Sequence, residues 1–161
     1  MTRDHARMAA AIAAGLTIGI VATAALRHAS AQSGAERRVI RPQRAPDIGL
    51  PFSPGILAGN TLYVAGHLGR DPITSRLVTG GIEPETRQAL ANIREVLKTA
   101  GMGFKDVTSV TVYIASFDDF AKFNAIYRET FPADPPARAT VQVAALNDRA
   151  RVELQMIAVR P

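Results

Sequence analysis

An arginine and a glutamate stand at polar positions of two otherwise apolar strands near the end of this chain. From Pro136 the residues alternate, with Arg138, Thr140 and Gln142 on one face and Val141 and Val143 on the other. From Arg151 they alternate again: Val152, Leu154, Met156 and Ala158 against Glu153, Gln155 and Ile157. A guanidinium is planar and presents parallel donors, so Arg138 can clamp a carboxylate with two hydrogen bonds. A carboxylate such as Glu153 can hold a water and move its protons. The spacing sets a condition on any shared site. If Asn147-Asp148-Arg149 were a plain hairpin turn, Arg138 would face about residue 157, and Glu153 would lie ~13 Å along the sheet from it. That is too far for both to grip one small molecule. Either the two strands are not hairpin partners, or the site joins two chains.

The elements that must position these residues read from the same pattern. Ile56-Leu57-Ala58, a Gly59-Asn60 turn and Thr61 to Ala65 predict a hairpin. Residues 66–81 predict a loop-rich excursion. Glu83-Pro84-Glu85 suits a helix start, because proline is tolerated in the first turn and acids complement the positive end of the dipole. Ala89, Leu90, Ile93, Val96, Leu97 and Ala100 then form one apolar stripe, which Gly101 ends. Val107 to Ala115 alternates as a strand. Ser116 to Asp119 reads as a capped start to a second helix, with Phe120, Phe123, Ile126, Tyr127 and Phe131 as its stripe. The order is three strands, helix, strand, helix, two strands: an α+β fold with two helices on one face of a mixed sheet.

The N-terminus is set apart from that fold. Arg3 and Arg7 precede a 19-residue uncharged run, Met8 to Leu26, and Ala29-Ser30-Ala31 offers a small-x-small cleavage site. Residues 1–31 therefore read as a secretory signal peptide. The run is also ~28 Å long as a helix, enough to serve as an uncleaved membrane anchor. Either reading takes the folded part out of the cytoplasm, to the periplasm or beyond the cell. Residues 32–54 form a basic, proline-rich arm with a short strand at Val39-Ile40, and residues 55–161 the main domain, the fold itself beginning near 39.

Composition excludes several chemistries. The chain has no cysteine, so no thiolate nucleophile and no thiolate metal site. His67 is the single histidine beyond residue 31, so no histidine-based metal site is expected. Without residues 1–31, which hold three arginines and one aspartate, the formal charge of +5 falls to +3. Four arginines of the arm (Arg37, Arg38, Arg41 and Arg44) account for all of it, and no aromatic residues interleave with them. Nucleic acid is not an expected partner.

Several separated motifs together resemble the Rid family, the reactive intermediate deaminases also called YjgF-type. They are Ala45-Pro46 before Gly49; Gly59-Asn60 then Ala65-Gly66; Thr86-Arg87-Gln88-Ala89-Leu90 with Asn92; Asp119-Phe120 with Asn124 and Tyr127; Pro136-Ala137-Arg138; and Glu153 with Ile157-Ala158-Val159. The resemblance covers about Val39 to Pro161. It implies a chorismate-mutase-like fold, a homotrimer with sites between subunits, and cofactor-free hydrolysis of 2-oxo-acid enamines and imines with release of ammonia. The partner it implies is a small carboxylate-bearing molecule. It makes Arg138 and Glu153 the catalytic pair, and Phe52, Ala65, Gly66, His67, Asn124 and Thr140 the substrate-binding set, with no metal.

Some positions depart from the family pattern. Phe52 stands where the family often has a tyrosine, Ala65 where it has a serine and His67 where it often has a glutamine. Two hydroxyls are therefore missing, which leaves a more apolar pocket. His67 reads either as an acid or base near neutral pH or as a solvated loop histidine. Asn124 reads either as a pocket hydrogen-bonder or as a structural amide, and Tyr127 as core. An exported trimer that binds a small carboxylate without turning it over is the alternative function. RNA-acting and chaperone-like readings stand behind it.

Overall fold

In a computed structural model, residues 36–43, 49 and 51–161 are described. The expected signal segment 1–31 lies outside the described residues, as does much of the arm. The compact unit runs from Arg37 to Pro161. It holds strands β1 (Arg37–Ile40), β2 (Gly55–Ala58) and β3 (Thr61–Leu68), helix α1 (Ile82–Thr99), strand β4 (Val107–Ile114), helix α2 (Phe120–Thr130), and strands β5 (Ala137–Gln142) and β6 (Val152–Val159). This is the expected α+β order.

The six strands form one sheet in the order β1-β2-β3-β6-β4-β5. β4 and β5 are parallel, joined by the crossover through α2, and every other pair is antiparallel. β5 is thus an edge strand, and β4 separates it from β6. Asn147–Arg149 is a 3-10 turn, with Asp148 and Arg149 both at positive φ, and not a plain hairpin turn.

Alternation along the strands sends one face into the core. Leu62 and Val64 of β3, Val110, Val112 and Ile114 of β4, and Val152, Leu154, Met156 and Ala158 of β6 are all buried in one cluster with the helices. α1 contributes Ala89, Leu90, Ile93, Val96 and Leu97, the stripe its sequence predicted. Gly101 ends the helix at φ 74, with its N–H donating to the Lys98 carbonyl at 2.9 Å. α2 contributes Phe123, Ile126 and Tyr127. Ser116 accepts the Asp118 N–H at 3.1 Å, opening the 3-10 turn that leads into α2.

β3 is longer than the sequence suggests. Alternation fails at Ala65-Gly66 because the pair forms a bulge: Val64 faces Met156 and His67 faces Leu154, so two residues of β3 oppose Gln155 alone. A strand that slips by one residue breaks its own period, which is why residues 66–68 read as loop. His67 therefore lies within β3, and not in a loop.

Candidate active site

The arginine half of the site sits at the sheet edge. Arg138 is in register with Val110, so it shares the helix-bearing face. The crossover lays α2 beside that face. The Arg138 guanidinium stacks 4.6 Å from the Tyr127 ring centroid, 5.5 Å from Phe123 and 5.8 Å from Phe120. No described residue accepts a hydrogen bond from it. Thr140, two residues on and on the same face, has its Oγ1 buried without a partner among the described residues, and the Tyr127 hydroxyl is buried in the same way. Burial pushes the Tyr127 phenol above its ordinary value, opposed by the nearby Arg138 charge. Asn124 is half-buried on α2, and its amide has no partner among the described residues. A cation fixed on an aromatic platform with its donors free is suited to a carboxylate.

The glutamate half lies on the other face. Glu153 is in register with Tyr113, and its neighbours Val152 and Leu154 point into the core. It lines a concavity of about 300 Å³ with Gly66, Tyr113, Leu146 and Gln155. The carboxyl lies directly over Gly66, where any Cβ would collide with Glu153 Oε1. The bulge and the glycine thus bring the β3 backbone against the carboxylate. The Tyr113 hydroxyl donates to Gln155 Oε1 at 3.4 Å. Burial raises the Glu153 pKa above its ordinary value, which makes it a better base than an exposed glutamate.

The other predicted residues divide between these halves. The Ala65 N–H donates to the Pro54 carbonyl at 3.0 Å, which ties the loop carrying Phe52 to the bulge. Phe52 itself is exposed. His67 shares the helix-bearing face with Leu154, away from Glu153, and its Nε2 is fully shielded without a partner among the described residues. Burial lowers its pKa to about 4, only partly offset by the Pro54 carbonyl. It is neutral near pH 7, so it is neither the solvated histidine nor the near-neutral acid that its type suggested.

Within one chain Arg138 and Glu153 do not meet. They lie two strand spacings apart, ~10 Å, and three residues of β4 apart, another ~10 Å, on opposite faces of the sheet. Tyr113, Gln155 and Leu146 join Glu153 without having been singled out from sequence. Gln155 was legible as the residue two beyond Glu153 on the same face. Tyr113 and Leu146 were not, because strand order decides what lies beside β6.

Comparison with known proteins places the chain in a family. The family model described as Endoribonuclease L-PSP matches residues 42–160. The chain belongs to that family, the Rid family. It is 44% identical over 124 residues to the 2-iminobutanoate/2-iminopropanoate deaminase of Capra hircus, covering 77% of this chain and 90% of the goat protein. The fold matches a structure from Thermotoga maritima described as a putative endoribonuclease, with TM-score 0.74 and 36% identity, over 77% of this chain and 98% of that one. It also matches E. coli TdcF with bound serine, with TM-score 0.73 and 31% identity, over 77% of this chain and 99% of TdcF.

Several motif residues of this Rid chain do structural work. Thr86 Oγ1 donates to the Ile82 carbonyl at 2.6 Å, and Gln88 donates to Asn92 Oδ1 at 2.9 Å. Asn92 in turn donates to the Leu68 and Arg70 carbonyls at 3.2 and 2.8 Å, fixing the exit of β3 to α1. At the entry to β6, the Arg151 N–H donates to Glu85 Oε2 and its Nε to Asp119 Oδ2, each at 2.7 Å. Two helix starts thereby hold the strand that carries Glu153.

Proposed function

We propose that this chain is a cofactor-independent deaminase that hydrolyses 2-imino acids such as 2-iminobutanoate and 2-iminopropanoate to the 2-oxo acid and ammonia. One observation carries the reading: the Arg138 guanidinium, held on Tyr127 with no acceptor among the described residues, beside a Thr140 hydroxyl that has no partner among them either. The 44% identity to a deaminase named for those substrates supports it.

In this reading Arg138 binds the substrate carboxylate. The electrophile is the iminium carbon C2. Glu153 takes a proton from water as the water oxygen bonds to C2, giving a tetrahedral carbinolamine. Proton return to nitrogen then lets the C–N bond break, and the C2 hydroxyl loses its proton as C=O forms. Iminium plus water becomes oxo acid plus ammonium. A positioned acid–base group supplies roughly 10²–10⁴-fold, and holding the reactants together supplies the rest.

The two halves converge only if chains assemble. The open face of the sheet, away from the helices, exposes Tyr63 and Val141. We take this face to close a homotrimer in which Arg138, Thr140 and Asn124 of one subunit meet Gly66 and Glu153 of the next. The N-terminal pattern supports export of that trimer, which N-terminal sequencing of the mature protein would test.

The deciding assay is ammonia release from freshly generated 2-iminopropanoate and 2-iminobutanoate, with protein starting at Gln32. Acceleration abolished in Arg138→Ala is the expected result; a variant with full activity would overturn the mechanism. The missing hydroxyls at Phe52 and Ala65 favour a second reading, binding without turnover. A folded trimer that shifts its melting temperature with small carboxylates but releases no ammonia would support that one.

A further inference from the structure

The concavity around Glu153 has a wall that the proposed chemistry leaves unused. Its lining is a carboxyl, a phenol, an amide, a glycine and one aliphatic side chain, Leu146. Leu146 is half-buried and precedes the turn between β5 and β6. That turn is well fastened. The Val143 N–H donates to the Ile114 carbonyl at 3.0 Å, and the Arg149 N–H to the Leu146 carbonyl at 3.2 Å. Asp148 pairs with Arg70, which also donates to the Ser75 carbonyl at 2.8 Å. Leu146 is therefore presented from a fixed segment.

The reaction leaves one group of the substrate without a partner. C2 carries a carboxylate, a nitrogen and a side chain. The carboxylate goes to Arg138 and the attacking water to Glu153, so the side chain falls in the remaining space of the same concavity. We propose that Leu146 is a specificity-determining residue that selects 2-imino acids with aliphatic side chains, favouring longer chains over methyl. This rests on the deaminase reading above. Each methylene laid against Leu146 leaves water, and on a half-open wall that favours the longer substrate by roughly two- to fourfold in kcat/KM.

The test compares kcat/KM for 2-iminopropanoate, 2-iminobutanoate and 2-iminopentanoate in the wild type, Leu146→Ala and Leu146→Met. The wild type is expected to gain with each carbon. Leu146→Ala should flatten the series several-fold, and Leu146→Met, which keeps the apolar contact, should retain the preference for longer chains. Turnover with the same ratios in wild type and Leu146→Ala would overturn the inference and leave the deaminase reading standing. A wild type that releases ammonia from none of the three would overturn both.

Discussion

At the scale of residues, burial separates two groups whose types alone looked alike in promise. Glu153 sits in a concavity that raises its pKa, so it binds its proton to higher pH than an exposed glutamate. As a base it works only when ionised. The kcat/KM profile should therefore fall on the acid side through a pKa above the ordinary carboxylate value of 4.5. An acid limb at or below that value, or one that survives Glu153→Gln, would remove Glu153 from the role. His67 shifts the opposite way, to about 4 from an ordinary 6.5. The unfolded chain takes up its proton first as pH falls, so the fold loses stability between pH 6.5 and 4 and loses no more below. The ceiling on that loss is on the order of 3 kcal/mol. His67→Gln should lose less stability than the wild type between pH 7 and 4 in urea unfolding; equal losses would mean the imidazole is hydrated. Arg138 and Glu153 were legible as chemistry because a charge at an alternating strand position stands out. The environment of His67 was not, because the bulge before it hides which face it takes.

At the scale of elements, close approach and strand order do the positioning. β3 leaves the sheet against the first turn of α1, and Gly69 allows it: a Cβ there would lie 2.5 Å from the Glu85 Cα and carbonyl oxygen. Both contacts are backbone, so neither can rotate away. Gly69→Ala should cost about 1–3 kcal/mol in chemical denaturation, as overpacking does. It should also weaken catalysis, because Glu85 holds the entry to β6 through Arg151. A variant as stable as the wild type would show that α1 can shift freely against β3. The helix stripes, the Gly59-Asn60 turn and the element order were all visible in the sequence, since each depends on local periodicity or a single turn. Which face of β5 meets the helices was not. Val141, on the apolar side of the alternation, is exposed on the open face at 42%, while the polar set of Arg138 and Thr140 lies towards α2. A parallel crossover decides this, and alternation by itself has no sign.

At the scale of the whole molecule, catalysis by the proposed route needs a partner subunit. Arg138→Ala and Glu153→Gln should each be inactive alone. Unfolded together in equal amounts and refolded, they should regain activity, because about a quarter of the interfaces in randomly mixed trimers pair an intact arginine with an intact glutamate. No recovery in mixed trimers, confirmed by native mass spectrometry, would overturn the shared site. The amino-acid sequence by itself determined the elements, the α+β class and the residues able to clamp a carboxylate and move a proton, because these follow from side-chain type and from contacts a few residues apart. Tertiary structure alone decided that β4 separates β5 from β6 and that Arg138 lies on Tyr127. It also decided that Glu153 stands on the opposite face beside Tyr113 and Leu146. Those facts depend on strand order and on the hand of one crossover, which bring together residues tens of positions apart and leave no periodic trace in the chain.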